Sequence, residues 1–582
     1  MKSEKKLTGF PSIDKPWLKY YAEAKRSFNV PDCSVYDYMC ENNEDNQGFT
    51  ALDYFGKETS YRVLIERIDK CARAFTALGI KKGDVVSFCN PTTPEIYYAF
   101  YALNKIGAIA NMIDPRTNAS RIDKFIMDTR SEIVFYIDIA YPKIRDTLAK
   151  KEIRKAICVS PSDSLPLAMK AAYKLTNRIP ANKKAPKGDK YLTWGQFFAL
   201  GESFSVNPKP LGEGKFSLPA GIIYTSGTTG VPKGAIITNK NLIAMVKQNI
   251  CADMGWEKND RFLGIMPPFI AYGLVCGFTL PLCLGMRVII IPKFEVEKFD
   301  TYILKHKPHH IMGVPSYVEK LMYSKIIQNS DLSFLKTVIV GGDKMNPEAE
   351  TAVNEFLKSR NSGCRVIKGY GMSEMSSNAV FPRCDECNKI GSVGTPLIEN
   401  NLKVIDSETG KELGYNEVGE ICLTGPTLID GYWNNEEETQ KVFKIEDGVR
   451  WIHTGDRGYI DSDGVVFFSD RLKRIIVRSD GHNVWPSDSE RIIELHPDIE
   501  GCCVVGTRDR ENGQGEVVTA FIVIKPSCFK TSENVIKELK EMLLDNLPAR
   551  DVPMQYFVKD ELPLSDVGKV DYRALEHEAN NS

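Results

Sequence analysis

Residues Tyr224–Gly234 read Tyr-Thr-Ser-Gly-Thr-Thr-Gly-Val-Pro-Lys-Gly, and the ten positions after the tyrosine hold four hydroxyls, three glycines and one lysine. Glycine lets backbone N–H groups approach an anion where a side chain would clash. Thr225, Ser226, Thr228 and Thr229 add donors, and Lys233 adds a compact positive charge. That chemistry suits a triphosphate. Gly, Ser and Thr are also ordinary turn residues, so a polar hairpin loop is the competing reading. A Walker loop is excluded, because after Gly227 and four further residues it requires Gly-Lys, where this chain has Pro232. Proline also lacks the N–H that such a cradle uses.

Five further stretches carry groups suited to chemistry. They are Gly341-Gly342-Asp343, Gly369-Tyr370-Gly371-Met372-Ser373-Glu374, Trp451 to Asp456, Asp470-Arg471-Leu472-Lys473-Arg474, and Gly568-Lys569. Taken singly, each has an ordinary reading. Gly-Tyr-Gly is a turn with a surface tyrosine, and Glu374 is a carboxylate near a helix dipole. An Asp after Gly is a turn residue, and a charge cluster is a solvated face. A Gly-Lys near a C-terminus is a solvated lysine.

The elements that must position these groups alternate between strand and helix. Gly221-Ile222-Ile223 and Ala235 to Thr238 flank the first loop as strands. Ser60 to Gly79 reads as a helix, with Val63, Ile65, Ile68, Ala72 and Phe75 at helical spacing, Ser60 as N-cap and Gly79 as stop. Asp84–Phe88 is a strand, Glu95–Ile106 a helix and Gly107–Met112 the next strand. Thr238-Asn239 caps a helix that turns Leu242, Met245, Val246 and Ile250 inward. Val338–Ile339–Val340 and Val366–Ile367 run as strands into glycine turns. Gly391–Pro396 and Gly419-Glu420-Ile421 read as turns in a β-rich part, and Trp451–Asp456 ends a strand. The end of the chain gives strands at Val504–Gly506 and Val517–Ile524 and a helix at Glu533–Leu544. This pattern predicts an α/β protein: mostly parallel sheets flanked by helices plus a β-rich part, then a small α+β terminal domain.

A chain of 582 residues exceeds one core. Its 75 Lys and Arg nearly balance 76 Asp and Glu, which argues against a nucleic-acid partner. Fifteen cysteines are scattered, and Pro11, Asp14 and Lys15 interrupt the apolar core a secretory leader would need, so a reducing cytoplasmic setting is expected. Cys384-x-x-Cys387 has no second pair at zinc spacing and reads as free thiols. Phe262 to Met286 has no charge but holds three prolines and four glycines, which break any spanning helix. Residues 160–215 break the alternation. Leu165 to Ile179 and Lys183, Lys184, Lys187 and Lys190 form an amphipathic basic stretch, an insertion with a solvated face or, over 165–190, a contact with a membrane surface.

Together the loop, the Gly-Tyr-Gly-Met-Ser-Glu stretch and the Pro563 to Lys569 ending resemble the adenylate-forming superfamily, which includes acyl-CoA synthetases, luciferases and adenylation domains. The resemblance spans residues 50 to 575. It implies ATP-dependent activation of a carboxylic acid to an acyl-adenylate, then transfer to a pantetheine thiol. It implies ATP and Mg²⁺, with coenzyme A or a carrier protein as acceptor. By the same resemblance Thr225, Ser226, Gly227, Thr228, Thr229 and Lys233 hold phosphates. Tyr370 and Gly371 face adenine opposite Gly342-Asp343, and Ser373, where the family usually has Thr, meets the α-phosphate. Glu374 holds the metal, Asp456 the ribose, and Arg471 the ribose or α-phosphate. Lys569 bridges carboxylate and α-phosphate. Asp470 is a hinge between domains 1–469 and 470–582, and Gly481 and His482 line the pantetheine path. The family commonly has Tyr at His482 and Glu at Asp488. Ile270, Ala271 and Gly341 border the acyl pocket, where an aliphatic Ile270 in place of His or an aromatic fits an apolar acid. No acidic residue lies between Arg261 and Pro292 to pair an ammonium, which disfavours an α-amino acid. A non-catalytic acyl-nucleotide-binding protein is the remaining alternative.

Overall fold

The computed structural model describes residues 7–581 except 177–184, 226–231, 511 and 564–569. The chain divides into two compact units, one of residues 1–402, 423–453 and 462–466, the other of 403–422, 454–461 and 467–582. The architecture is mixed α/β, as the alternation predicts.

In chain order the first unit contains β1 (Thr50–Tyr54), β2 (Lys57–Ser60), β3 (Val85–Cys89), β4 (Ile109–Ile113), β5 (Ile133–Ile137), β6 (Lys155–Val159) and β7 (Tyr191–Thr193). There follow β8 (Pro219–Thr225), β9 (Lys233–Thr238), β10 (Arg261–Gly264), β11 (Arg287–Ile290) and β12 (His310–Gly313). Last come β13 (Thr337–Gly341), β14 (Val366–Met372), β15 (Ser377–Phe381) and β16 (Thr395–Pro396). They build a seven-stranded sheet, β7-β6-β5-β3-β4-β8-β9, and a nine-stranded sheet, β16-β15-β14-β13-β12-β10-β11-β1-β2. The first is parallel from β7 to β8. The second is parallel from β1 to β14. Strands such as Val85–Cys89 and Thr337–Gly341 are buried at every residue, as apolar runs covered on both faces should be. Antiparallel hairpins occur at β8–β9, β14–β15 and β1–β2, the first two leading to expected site residues.

The helix Tyr61–Ala77 starts where Ser60 Oγ accepts from the Val63 N–H at 3.4 Å. Its buried stripe is Tyr61, Leu64, Ile68, Ala72 and Phe75, so Val63 and Ile65 fall on its flank. The helix Asn239–Ala252 has a full capping box between Thr238 and Asn241. It buries Leu242, Met245 and Val246 but leaves Ile250 exposed, a correction to the expected stripe. The apolar run after β10 becomes a π-helix, Tyr272–Thr279, then a helical turn, Leu280–Cys283, ahead of β11. Among the described residues no helix is long and apolar enough to cross a membrane.

Three expectations change. The 160–215 stretch is not one insertion, because β7 pairs with β6 at Ala156↔Tyr191 and the helix Trp194–Ser203 follows from a capping box. Gly419-Glu420-Ile421 lies in a strand, Gly419–Thr424, not a turn. The strand expected to end at Asp456 runs Val449–Ile460. Alternating burial along Val449–Ile460 hid the length of that strand, since a strand turns every second residue away from the core.

In the second unit Ile499–Arg508 pairs antiparallel with Glu516–Ile524, which pairs parallel with Gln555–Lys559, a strand the sequence reading lacks. The helix Ser532–Asn546 buries Val535, Leu539 and Leu543 in a core with Val504, Val518, Ala520 and Ile522.

Candidate functional site

The hairpin β8–β9 sets Thr225 opposite Lys233. Ser226, Gly227, Thr228 and Thr229, between them, lie outside the described residues, as does Lys569. At the loop's near end the Thr225 hydroxyl is buried and has no hydrogen-bond partner among the described residues. Such a group costs free energy unless a ligand or water satisfies it. At the far end the Lys233 side chain is only 5% exposed and forms an ion pair with Glu438. Its ammonium also sits 5.2 Å from the Tyr432 ring centroid. A buried ammonium needs such a partner. Lys233 therefore anchors the base of the loop while its charge is shared with Glu438.

Residues 431–433 run alongside β9. Ile236 N–H donates to the Gly431 carbonyl at 3.1 Å, and Trp433 N–H donates to the Gly234 carbonyl at 2.7 Å. This pairing fixes Tyr432, whose phenol donates to Glu374 Oε1 at 2.6 Å. Burial, reinforced by the Glu374 charge, pushes the Tyr432 phenol well above its ordinary pKa, so it stays a donor. The Glu374 backbone carbonyl accepts from Ile429 N–H at 3.0 Å, a second tie to the same segment. Thr225, Lys233, Tyr432 and Glu374 thus form one run of neighbours.

The adjacent parallel strands β13 and β14 bring Gly341 level with Gly369. Gly342, with φ at +81°, turns the chain into exposed Asp343, while Tyr370 stays largely buried in β14. The expected adenine residues therefore leave neighbouring strand ends. Gly371 is required by packing, since a Cβ there would sit 1.8 Å from the Ser377 carbonyl oxygen across the hairpin. Ser373 and Glu374 start the 3₁₀ turn Ser373–Met375, both half-buried. Among the described residues Glu374 Oε1 has the phenol and Oε2 has no side-chain or backbone donor. A carboxylate with one oxygen fixed and the other available is a hard-oxygen ligand that fits a magnesium ion.

Ile270 is half-buried against the core of the nine-stranded sheet, and Ala271 is buried. A Cβ at Gly341 would lie 4.0 Å from the Tyr272 ring, so Tyr272 and Gly341 share one wall.

Other expected residues lie in the second unit. Asp456 is 2% exposed, and Arg471 Nε stands 3.2 Å from its Oδ1. The Asp456 N–H donates to Thr454 Oγ1 at 3.0 Å, within the same strand. Asp470 is buried, and its Oδ2 accepts from the N–H of Ser487, in the first turn of the helix Pro486–Ile493, at 3.0 Å. Gly481, with φ at +79°, forms the exposed turn of the hairpin Ile476–Val477/Asn483–Val484. His482 Nε2 lies 2.9 Å from Asp551 Oδ1. His453, in the first unit, pairs with Glu446 at 2.9 Å, in keeping with an oriented structural histidine. The Cys384 and Cys387 sulfurs lie 3.4 Å apart, and among the described residues they join no cluster of three metal-ligating groups.

Sequence reasoning missed Tyr432 and Glu438. Glu438 is the last of three consecutive glutamates, and no spacing rule marks which of them meets Lys233. Tyr432 reads as an ordinary aromatic beside Gly431 and Trp433.

Comparison with known proteins bears on this arrangement. The long-chain-fatty-acid–CoA ligase of Bacillus subtilis (strain 168) is 29% identical over 97% of this chain and 99% of its own length. The probable 4-coumarate–CoA ligase 1 of Dictyostelium discoideum is 31% identical over 82% of this chain and 83% of its own. Among solved structures, ATP-bound MatB from Rhodopseudomonas palustris superposes with a TM-score of 0.80 at 23% identity, covering 95% of this chain and 99% of that one. The anthranilate CoA ligase AuaEII with anthranoyl-AMP gives 0.78 at 21% identity, covering 95% and 98%. Residues 40–433 match the AMP-binding enzyme family and residues 488–569 match its C-terminal domain. With a family match over more than half of its length, the chain belongs to the AMP-binding enzyme family.

Proposed function

We propose that this protein is an AMP-forming acid–thiol ligase that converts an apolar carboxylic acid, fatty or aromatic, to its coenzyme A thioester through an acyl-adenylate. The observation that carries the reading is the run Thr225–Lys233–Tyr432–Glu374 beside the Gly341–Tyr370 strand ends. A relative named as a CoA ligase that aligns over almost the whole chain supports it.

A carboxylate is already nucleophilic, so attack on the α-phosphorus of ATP needs no general base. It needs two anions held in line and charge balanced on the phosphate oxygens. In this reading the 225–233 loop cradles the departing pyrophosphate, and Lys569 brings its ammonium to the carboxylate and α-phosphate. Ser373 orients the α-phosphate, and Gly342, Asp343, Tyr370 and Gly371 hold the adenine. Asp456 and Arg471 take the ribose. Glu374 would hold a magnesium ion, which would supply positive charge to the phosphate oxygens. After adenylation, rotation about Asp470 withdraws Lys569 and sets Gly481 and His482 along the pantetheine. The thiolate then displaces AMP.

The acyl wall of Ile270, Ala271 and Gly341 contains no charged side chain, which favours an apolar acid. A pyrophosphate-exchange assay over a panel of fatty, aromatic and amino acids tests the first half-reaction. Exchange with apolar acids and none with α-amino acids is expected, and silence across the whole panel would refute the reading. Offering coenzyme A and a holo-carrier protein in parallel separates the two acceptors, with coenzyme A expected to serve.

A further inference from the structure

We propose that Tyr432 is a positioning residue for Glu374, fixing the carboxylate so that its second oxygen is presented to the magnesium ion. The inference rests on the ligase reading above and adds a residue to it.

The geometry leaves Tyr432 little freedom. Its N–H donates to Thr439 Oγ1 at 3.0 Å, and its backbone bridges Ala235 in β9. The ring lies beneath the Lys233 ammonium, which Glu438 holds in turn. Glu438 N–H is itself bound by Asn435 Oδ1 at 3.2 Å, at the start of the helix Glu436–Val442. Every part of the support is therefore tied to backbone, and the phenol arrives at Glu374 Oε1 with its direction set.

A glutamate on a short 3₁₀ turn has three side-chain torsions, and a half-exposed one samples several rotamers. One short hydrogen bond from a fixed donor removes most of that freedom. The donor is neutral, so it orients the carboxylate without cancelling the charge that a cation requires. A lysine in its place would orient and neutralise at once. Here the cation, Lys233, is kept one ring away and is paired with Glu438. Hydrogen-bonded partners of metal ligands commonly govern about 10–100-fold in metal affinity.

The test is Tyr432→Phe, which keeps the ring, its packing and the Lys233 contact and deletes only the hydroxyl. In the full-length enzyme the Mg²⁺ concentration giving half-maximal pyrophosphate exchange should rise about tenfold or more. The KM for the carboxylic acid should not change. Mn²⁺ binding in the presence of ATP, followed by electron paramagnetic resonance without turnover, should weaken by the same factor. In a Glu374→Gln background the second substitution should weaken Mn²⁺ binding no further, because the group it positions is gone. Equal metal dependence in wild type and Tyr432→Phe overturns the inference. So does an additive loss in the double variant, which marks a general structural effect. If wild-type protein exchanges pyrophosphate with no acid, the ligase reading itself fails, while the Mn²⁺ measurement still decides the role of Tyr432.

Discussion

Glu374 and Glu95 each stand a few residues past the end of a parallel strand, β14 in one sheet and β3 in the other, and each opens a helical turn. Their surroundings differ in kind. Glu374 is half-buried, takes one hydrogen bond from a tyrosine and keeps one oxygen without a protein donor among the described residues. Glu95 is 1% exposed and accepts from Ser164 Oγ at 2.5 Å. Burial, the largest cause, pushes its carboxyl up to about 7. The contrast separates a carboxylate proposed to meet a cation from one that the fold encloses. The second destabilises the chain whenever it is ionised.

The largest effects should come from charge at the proposed phosphate site. Glu374→Gln keeps the size and an acceptor for Tyr432 but removes the charge. It should slow pyrophosphate exchange by on the order of 10²–10³, with no loss of melting temperature. Lys569→Ala should cost a similar factor in adenylation, since it deletes the one cation proposed to meet both reacting anions. Near wild-type exchange in either variant would remove that residue from the mechanism. A fall in melting temperature for Glu374→Gln as large as its loss of activity would erase the contrast with Glu95.

The hinge offers a finer test. Asp470→Pro fixes φ and should leave adenylation in place while stopping thioester formation. The structure adds a control, because Asp470 also receives the Ser487 N–H. Asp470→Ala loses that contact without restricting the backbone and should cost about 1–2 kcal/mol of stability, as losing a helix cap does. Rapid-quench measurement of both half-reactions in the two variants separates hinge from cap. Equal loss of both steps in Asp470→Pro would sink the hinge.

The candidate residues set by backbone shape were legible in the sequence, whereas those placed by long-range pairing were not. Gly371 must be glycine because a strand turns back on it, and its spacing to Tyr370 and Glu374 survives in the linear text. The strand–helix alternation similarly reports the parallel sheets, since a buried strand must be an apolar run. Tyr432 and Glu438 stand 58 residues after Glu374 and 205 after Lys233, too far for any local period to mark them. Strand Gln555–Lys559 escaped because Gln555 and Tyr556 carry polar groups and Lys559 interrupts the run. Within the 160–215 stretch, the part from Tyr191 to Ser203 escaped because three residues, Tyr191–Thr193, suffice to join a sheet edge. Burial of Glu95 was invisible for a related reason. The hydroxyl that reaches it belongs to Ser164, 69 residues on.

Glu95 supplies the smallest and most selective prediction. Its folded-state pKa of about 7 lies above the ordinary value of 4.5, so over that window the folded chain holds a proton that the unfolded chain has released. Stability contributed by this group is therefore fully present below pH 4.5, falls as pH rises towards 7 and stays low above it. The full span corresponds to about 3 kcal/mol. Glu95→Gln preserves an acceptor for Ser164 and cannot ionise. Above pH 7 it should raise the melting temperature of the first unit by a few degrees, while at pH 5 the two proteins should melt close together. Both half-reactions should be unchanged at every pH. Calorimetric scans at pH 5, 6, 7 and 8 give the slope directly. A gain that is equal at all four values would mean that the carboxyl never ionises inside the fold, and a lost half-reaction would show that the end of β3 takes part in the chemistry.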